Sequence, residues 1–155
     1  MSSEFAAPGS SALVVDANIL VRAVLGRRVL SLLESYTGSM DFLTAEQAFE
    51  DARAYLPSIL TKRGIPADVT TPLLTEALAG LSGLVTRVPG EAFAYLEPQA
   101  RERLAGRDEA DWPFVALALN FGCPIWTEDQ DFFGTGIATW TTDRVEIYLA
   151  AQTKG

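Results

Sequence analysis

The chain contains no histidine, a single cysteine (Cys123) and only two lysines, Lys62 and Lys154. Without histidine there is no Ser-His-Asp or Cys-His nucleophile, no imidazole base and no mixed Cys/His zinc site. A lone cysteine excludes an internal disulfide, so nothing demands an oxidising compartment. No stretch approaches the roughly 18 uninterrupted apolar residues of a membrane span. The opening MSSEFAAPGSSA lacks the basic and apolar regions of a signal peptide. These absences lead to the expectation of a cytoplasmic protein without membrane contact. Any chemistry must come from carboxylates, hydroxyls, amides, arginines and a metal.

Acidic residues outnumber basic ones by 20 to 12, giving a formal charge of −8. That balance counts against ordinary nucleic-acid binding, which rests on neutralising phosphates. The distribution is more informative than the sum. Arginines gather at Arg22, Arg27 and Arg28, and again at Arg101, Arg103 and Arg107. Solvated helix faces are the plain explanation of both groups.

At 155 residues and 48% hydrophobic content, the chain suits one domain with a sizeable core. Residues 12–152 are expected to form it, after a flexible arm at 1–11 that is poor in residues to bury. Ala12-Leu13-Val14-Val15 reads as a strand buried on both faces, ending at Asp16. Helical spacing follows from Asn18, and again through Val29, Leu32, Leu33 and Tyr36. Phe42-Leu43 marks a second strand. The helix expected over 45–56 is predicted to bend or restart at Pro57, its continuation ending at Gly64. A further helix is expected at 66–82, a third strand at 84–88, and helical pieces at 90–97 and 98–105. A helix at 112–121, strands at 124–127 and 137–140, and a last helix at 142–151 complete the chain. Strands alternating with helices predict an α/β fold: three layers around a central, mostly parallel sheet of four to five strands.

In such a sheet, ligands bind beyond the carboxyl ends of the strands. Asp16 ends the first strand, and Glu128, Asp129 and Asp131 follow the fourth. Glu50 and Asp111 lie on or open helices that the sheet would bring close. Two carboxylates about 5 Å apart repel by roughly 3 kcal/mol at an effective dielectric near 20, so four ionised and unpaired ones would cost on the order of 10 kcal/mol. With lysine nearly absent, a divalent cation is the economical remedy, and oxygen ligands suit Mg²⁺ or Mn²⁺. Each acid also has a plainer reading. Asp16 and Asp111 are good N-caps, Glu50 fits a solvated helix face, and Asp129 and Asp131 sit in a loop where acids are common.

The stretches VVDANIL at 14–20, FLTAEQAFEDA at 42–52, DEADWPFVALAL at 108–119 and PIWTEDQDFFG at 124–134 together resemble the PIN-domain family. These are metal-dependent ribonucleases that include the VapC-type bacterial toxins. Counting from the strand-end Thr44, the family pattern selects Glu50 over Glu46. The resemblance spans about residues 12–148. It implies that Asp16, Glu50, Asp111 and Asp129 are catalytic and, with Asp131, hold one or two Mg²⁺ or Mn²⁺ ions for hydrolysis of RNA phosphodiesters. Asn18 and Thr127 would orient ligands or water, and Asp108 would share the metal work. Arg22, Arg101, Arg103 and Arg107 are candidates for RNA contact. The resemblance also implies a homodimer and a small antitoxin partner whose C-terminal segment covers the acidic site. The stretch WTEDQDFFG followed by GIATWTT suggests a subgroup whose substrate preference does not carry over.

Two rivals belong to other classes. A receiver-type or dehalogenase-type phosphate-transfer domain wants a strand-end lysine or Asp-x-Asp, whereas position 18 is asparagine. A non-catalytic PIN-like binding module would keep the fold without the chemistry. Taking Asp16, Glu50, Asp111, Asp129 and Asp131 from the 20 acids leaves 15 against 12 basic residues, so the acidic excess is largely the expected site.

Overall fold

The computed structural model describes residues 11–153. Five strands, β1 (Ala12–Val15), β2 (Asp41–Ala45), β3 (Thr86–Val88), β4 (Ile125–Trp126) and β5 (Thr139–Trp140), form one sheet in the order β3-β2-β1-β4-β5. Every pairing is parallel, with Val15 opposite Trp126 where β1 meets β4. Parallel strands covered on both faces must be apolar throughout, and all four residues of β1 are buried.

Helices α1 (Ala17–Leu25) and α2 (Arg28–Tyr36) cross from β1 to β2. The pair α3 (Gln47–Lys62) and α4 (Ala67–Ser82) connects β2 to β3. Two 3₁₀ turns, α5 (Glu97–Arg103), a third turn at Glu109–Asp111 and α6 (Trp112–Phe121) then carry the chain to the opposite side of β1. This reversal puts a topological switch point between β1 and β4, where open α/β sheets leave a crevice. The chain closes with α7 (Val145–Thr153). No helix among the described residues is long and apolar enough to cross a membrane.

Three expectations are corrected. Pro57 does not restart its helix, because α3 is continuous from Gln47 to Lys62. Proline forfeits one backbone bond, but buried Ala52, Leu56 and Leu60 lie on both sides of it, and their burial outweighs that loss. The helical pieces expected at 90–97 and 98–105 become 3₁₀ turns at Gly90–Ala92 and Ala94–Leu96 followed by α5. The last helix starts at Val145 rather than at 142. Thr142 is otherwise engaged: its hydroxyl accepts from the Trp126 indole at 3.1 Å and its amide donates to Glu128 at 2.7 Å. The expected arm lies outside the described residues except for Ser11, whose carbonyl accepts from the Asp41 amide at 2.9 Å.

Candidate active site

The switch point is occupied by Asp16 and by the loop after β4. Asp16 follows the last residue of β1 and is only 4% exposed. The hydroxyl of buried Thr44, near the end of β2, donates to the Val15 carbonyl at 2.6 Å and so fixes the strand end that presents it. One carboxylate oxygen of Asp16 accepts from the Ala17 amide at 2.7 Å, the N-cap bond expected from the sequence. The other accepts from the Thr127 hydroxyl at 2.7 Å and the Asn18 amide group at 2.9 Å.

Thr127 is the hub of this arrangement. Its oxygen donates to Asp16 and accepts from the Asp129 backbone amide at 2.9 Å and from Asn18 at 3.3 Å. Asp129 in turn accepts from the Asp131 amide at 2.9 Å. The Asn18 carbonyl oxygen accepts from the Glu128 amide at 3.3 Å. A continuous chain of hydrogen bonds thus joins the end of β1 to the acidic loop after β4.

Asp111 closes the site from the start of α6. One carboxylate oxygen each from Asp111, Asp129 and Asp131 lies within 4.8 Å of the others. Burial, reinforced by the charges of Asp16, Asp108, Asp129 and Asp131, pushes the Asp111 carboxyl up to about 7. Burial likewise raises Asp16 to about 6, with Asp129 and Asp51 adding repulsion against the Thr127 and Ala17 bonds that lower it. Two carboxyls held near neutrality by desolvation and mutual repulsion are the sign of a site short of positive charge. An all-carboxylate oxygen set fits a hard divalent cation such as Mg²⁺ or Mn²⁺. Cys123 offers no competing nucleophile, since burial pushes its thiol up to about 12.

The structure thus brings Asp16, Asp111, Asp129 and Asp131 together, with Asn18 and Thr127 bonded among them. Asp108 stands beside them, its carboxylate accepting from the Ala110 amide at 3.1 Å as it caps the turn that carries Asp111. Glu50 is not drawn in. Glu50 and its neighbour Asp51 are both exposed on α3, and the α3 charge acting on Asp16 comes from Asp51. Successive helix positions diverge by roughly 100°, so the two adjacent acids point in different directions. Asp51 lies beside buried Ala52 and Glu50 beside buried Phe49, on opposite flanks of the inward stripe. Asp51 also lines a cavity of about 420 Å³ with Asn18 and Tyr55, next to Asp16.

The arginines divide. Arg101 pairs with Glu97 at 2.7 Å and Glu109 at 3.8 Å. Arg103 donates to the Thr135 carbonyl at 2.6 Å, and Arg107 to the carbonyls of Asp131 (2.9 Å) and Phe133. Arg103 and Arg107 therefore grip the loop that carries the acids. Glycines make room for them. Gly134 and Gly136 both have φ of +85°, and an added Cβ would fall 2.8 Å from Arg107 Nη2 and 2.6 Å from Arg103 Nη1 respectively. Gly134→Ala is expected to cost about 1–2 kcal/mol in chemical denaturation from the left-handed backbone alone. It should also weaken metal binding through displacement of Arg107. Unchanged metal affinity would show that the grip does not position Asp129 and Asp131.

The fold is similar to that of FitAcB from Neisseria gonorrhoeae, at 21% identity and a TM-score of 0.60, over 84% of this chain and 97% of that one. It is also similar to VapBC2 from Rickettsia felis, solved bound to a DNA fragment from its promoter, at 9% identity and a TM-score of 0.57 over 84% and 98%. FitAB bound to an IR36 DNA fragment matches at 21% identity and a TM-score of 0.52, over 84% and 94%. No curated protein matches the sequence with significance. The sequence model of the PIN domain matches residues 14–150, which takes in all five strands except the start of β1, and the chain belongs to the PIN-domain family.

Proposed function

We propose that this protein is a Mg²⁺- or Mn²⁺-dependent endoribonuclease that hydrolyses RNA phosphodiester bonds, serving as the toxin of a toxin–antitoxin pair. The observation that carries the reading is the approach of the Asp111, Asp129 and Asp131 carboxylates to within 4.8 Å of one another beside buried Asp16. Asp16, Asp111, Asp129 and Asp131 would hold the cation. Asp51 is the α3 acid whose charge reaches Asp16, and Glu50, the acid the family pattern selects, stands one position away. When bound, the cation supplies activation of water and neutralisation of charge on the phosphate and the leaving oxygen.

The remaining work falls to the chain itself. Thr127 and Asn18 orient one oxygen of Asp16 while the Ala17 amide holds the other, and Thr127 ties Asp129 to the same point. Arg107 and Arg103 hold the acidic loop by its carbonyls. An acidic rim of this kind also suits an antitoxin segment bearing an arginine, because a guanidinium would neutralise the carboxylates as a metal does. Val69 and Leu73, both more than 40% exposed on α4, offer apolar surface for a second copy of the chain.

The test is cleavage of an end-labelled single-stranded RNA by protein freed of contaminating nuclease. Cleavage with Mg²⁺ or Mn²⁺ that stops in EDTA is expected. Metal binding without any cleavage would overturn the enzymatic reading in favour of a non-catalytic PIN-like module. An antitoxin gene beside this one is expected if the toxin role holds.

A further inference from the structure

Beyond the acidic site, four arginines converge on one cavity. Arg22 in the last turn of α1, Arg27 in the following connection, Arg28 at the start of α2 and Arg63 at the end of α3 line a cavity of about 440 Å³ that has no acidic residue in its wall. All four are exposed. Only Arg28 has a carboxylate partner among the described residues, an exposed contact with Glu146 at 3.2 Å. The sequence brackets three of these arginines, but Arg63 lies 35 positions beyond Arg28 and arrives through the packing of α3 on α1.

This gathering is unfavourable without a ligand. The protein carries −8 overall, yet it places like charges together where acids could have paired them. Arg27 and Arg28 also stand at the N-terminus of α2, the positive end of the helix, which has no side-chain cap. Cations there repel both one another and the helix dipole. An anion relieves both costs at once, with guanidiniums and free backbone amides as donors.

The position of the cavity indicates which anion. It shares Arg22, Arg28 and Thr142 with a second cavity of about 610 Å³ whose wall includes Glu128. Glu128 accepts from the Thr142 amide at 2.7 Å, and its own amide donates to Asn18, which donates to Asp16. The arginine cavity therefore borders a wall that also carries Glu128 and Asp143, and through Glu128 it is hydrogen-bonded to the residues that hold Asp16. We propose that Arg22, Arg27, Arg28 and Arg63 form a track for the phosphodiester backbone of single-stranded RNA, leading the strand to the carboxylates. The inference rests on the ribonuclease reading above and adds to it where the strand lies.

Binding of a fluorescent single-stranded RNA oligonucleotide, followed by anisotropy in EDTA over a range of salt, tests the track without cleavage. Each phosphate contact contributes about 0.7 to the slope of log affinity against log salt, or roughly five-fold in affinity at 0.1 M salt. Arg22→Ala, Arg27→Ala and Arg63→Ala are each expected to lower the slope and the affinity by about those amounts. The corresponding lysine variants should retain most of the slope. Arg53→Ala, which removes the same charge from outside the cavity, should bind like the unaltered protein. Equal effects from Arg53→Ala, or none from the three track variants, would overturn the proposal. So would RNA binding that persists in those variants while binding of poly-glutamate is lost, since that result assigns the surface to an acidic protein segment. Metal-dependent cleavage by track variants that bind RNA normally would sink the track and leave the ribonuclease reading standing. Loss of RNA binding in them, with no cleavage by the unaltered protein, would do the reverse.

Discussion

Replacing Asp16 by asparagine is expected to lower metal-dependent RNA cleavage by about a thousand-fold while leaving the fold intact. A cation at such a site contributes several kcal/mol to the transition state, and about 4 kcal/mol corresponds to three orders of magnitude in rate. The substitution is nearly isosteric. The carboxamide oxygen of the new side chain would still accept from the Ala17 amide, so the start of α1 keeps its cap. What disappears is the negative charge, which burial holds at a pKa of about 6, together with the acceptor for the Asn18 amide group. At pH 8 and without metal that charge is a cost to the folded chain, so the variant should melt at the same temperature or higher. The combination of lost cleavage and retained stability separates a role in chemistry from a role in folding. Cleavage at the unaltered rate would remove Asp16 from the mechanism, and a collapse in melting temperature would make it a structural residue.

The second large effect is the coupling between metal, pH and stability. Asp16 and Asp111 have folded-state pKa values of about 6 and about 7, raised from 3.8. An acid whose pKa rises on folding binds its proton more tightly in the folded chain. The stability gained in this way is fully present below about pH 3.8 and is lost as pH rises through 6 and 7. For Asp16 the loss is on the order of 3 kcal/mol. Half-buried Asp111 contributes less than its shift suggests because solvent screens it. The metal-free protein should therefore melt at progressively lower temperature between pH 4 and pH 8.

Millimolar Mg²⁺ or Mn²⁺ should oppose this trend, because the cation binds ionised carboxylates and its effect grows with pH. At a hundredfold excess over Kd the gain is about 2.7 kcal/mol. For a chain of this size that corresponds to a rise of about 5–10 °C in Tm at pH 8. The rise should shrink in Asp111→Asn. Scanning calorimetry with and without metal at both ends of the pH range reads both effects. Absence of any metal shift at pH 8 would mean that the acidic rim does not hold a cation.

The parts of this protein that could be read from its sequence are those whose physics is local. Ala12–Val15 had to be an interior strand because four consecutive apolar residues suit a position buried on both faces. The periodicities behind α1, α2, α4 and α6 likewise need only neighbours three and four residues apart. Placing Asp16 and the Thr127–Asp131 loop at strand ends required no more than the alternation of strands and helices, together with the rule that parallel sheets open at their carboxyl ends. Proline at position 57 misled because its cost is local whereas the burial of Leu56 and Leu60 that overrides it is not.

The assignment of charged side chains was decided by tertiary structure. Whether Glu50 or Asp51 faces the rim depends on the rotation of α3 against α1. In sequence, Arg103 and Arg107 read as free cations. They become structural where the acidic loop closes over them, with glycines at positions 134 and 136 leaving the space. The group of Arg22, Arg27 and Arg28 gains Arg63 only when α3 delivers it beside them. The hydrogen bond from Thr127 to Asp16 spans 111 residues. No local pattern encodes a partner at that distance. By itself the sequence determined which residues could make an acidic site and which enzyme chemistries were closed for want of histidine. The folded sheet and its helices alone decided which acids meet and which arginines remain free, because long side chains take the partners that packing brings to them.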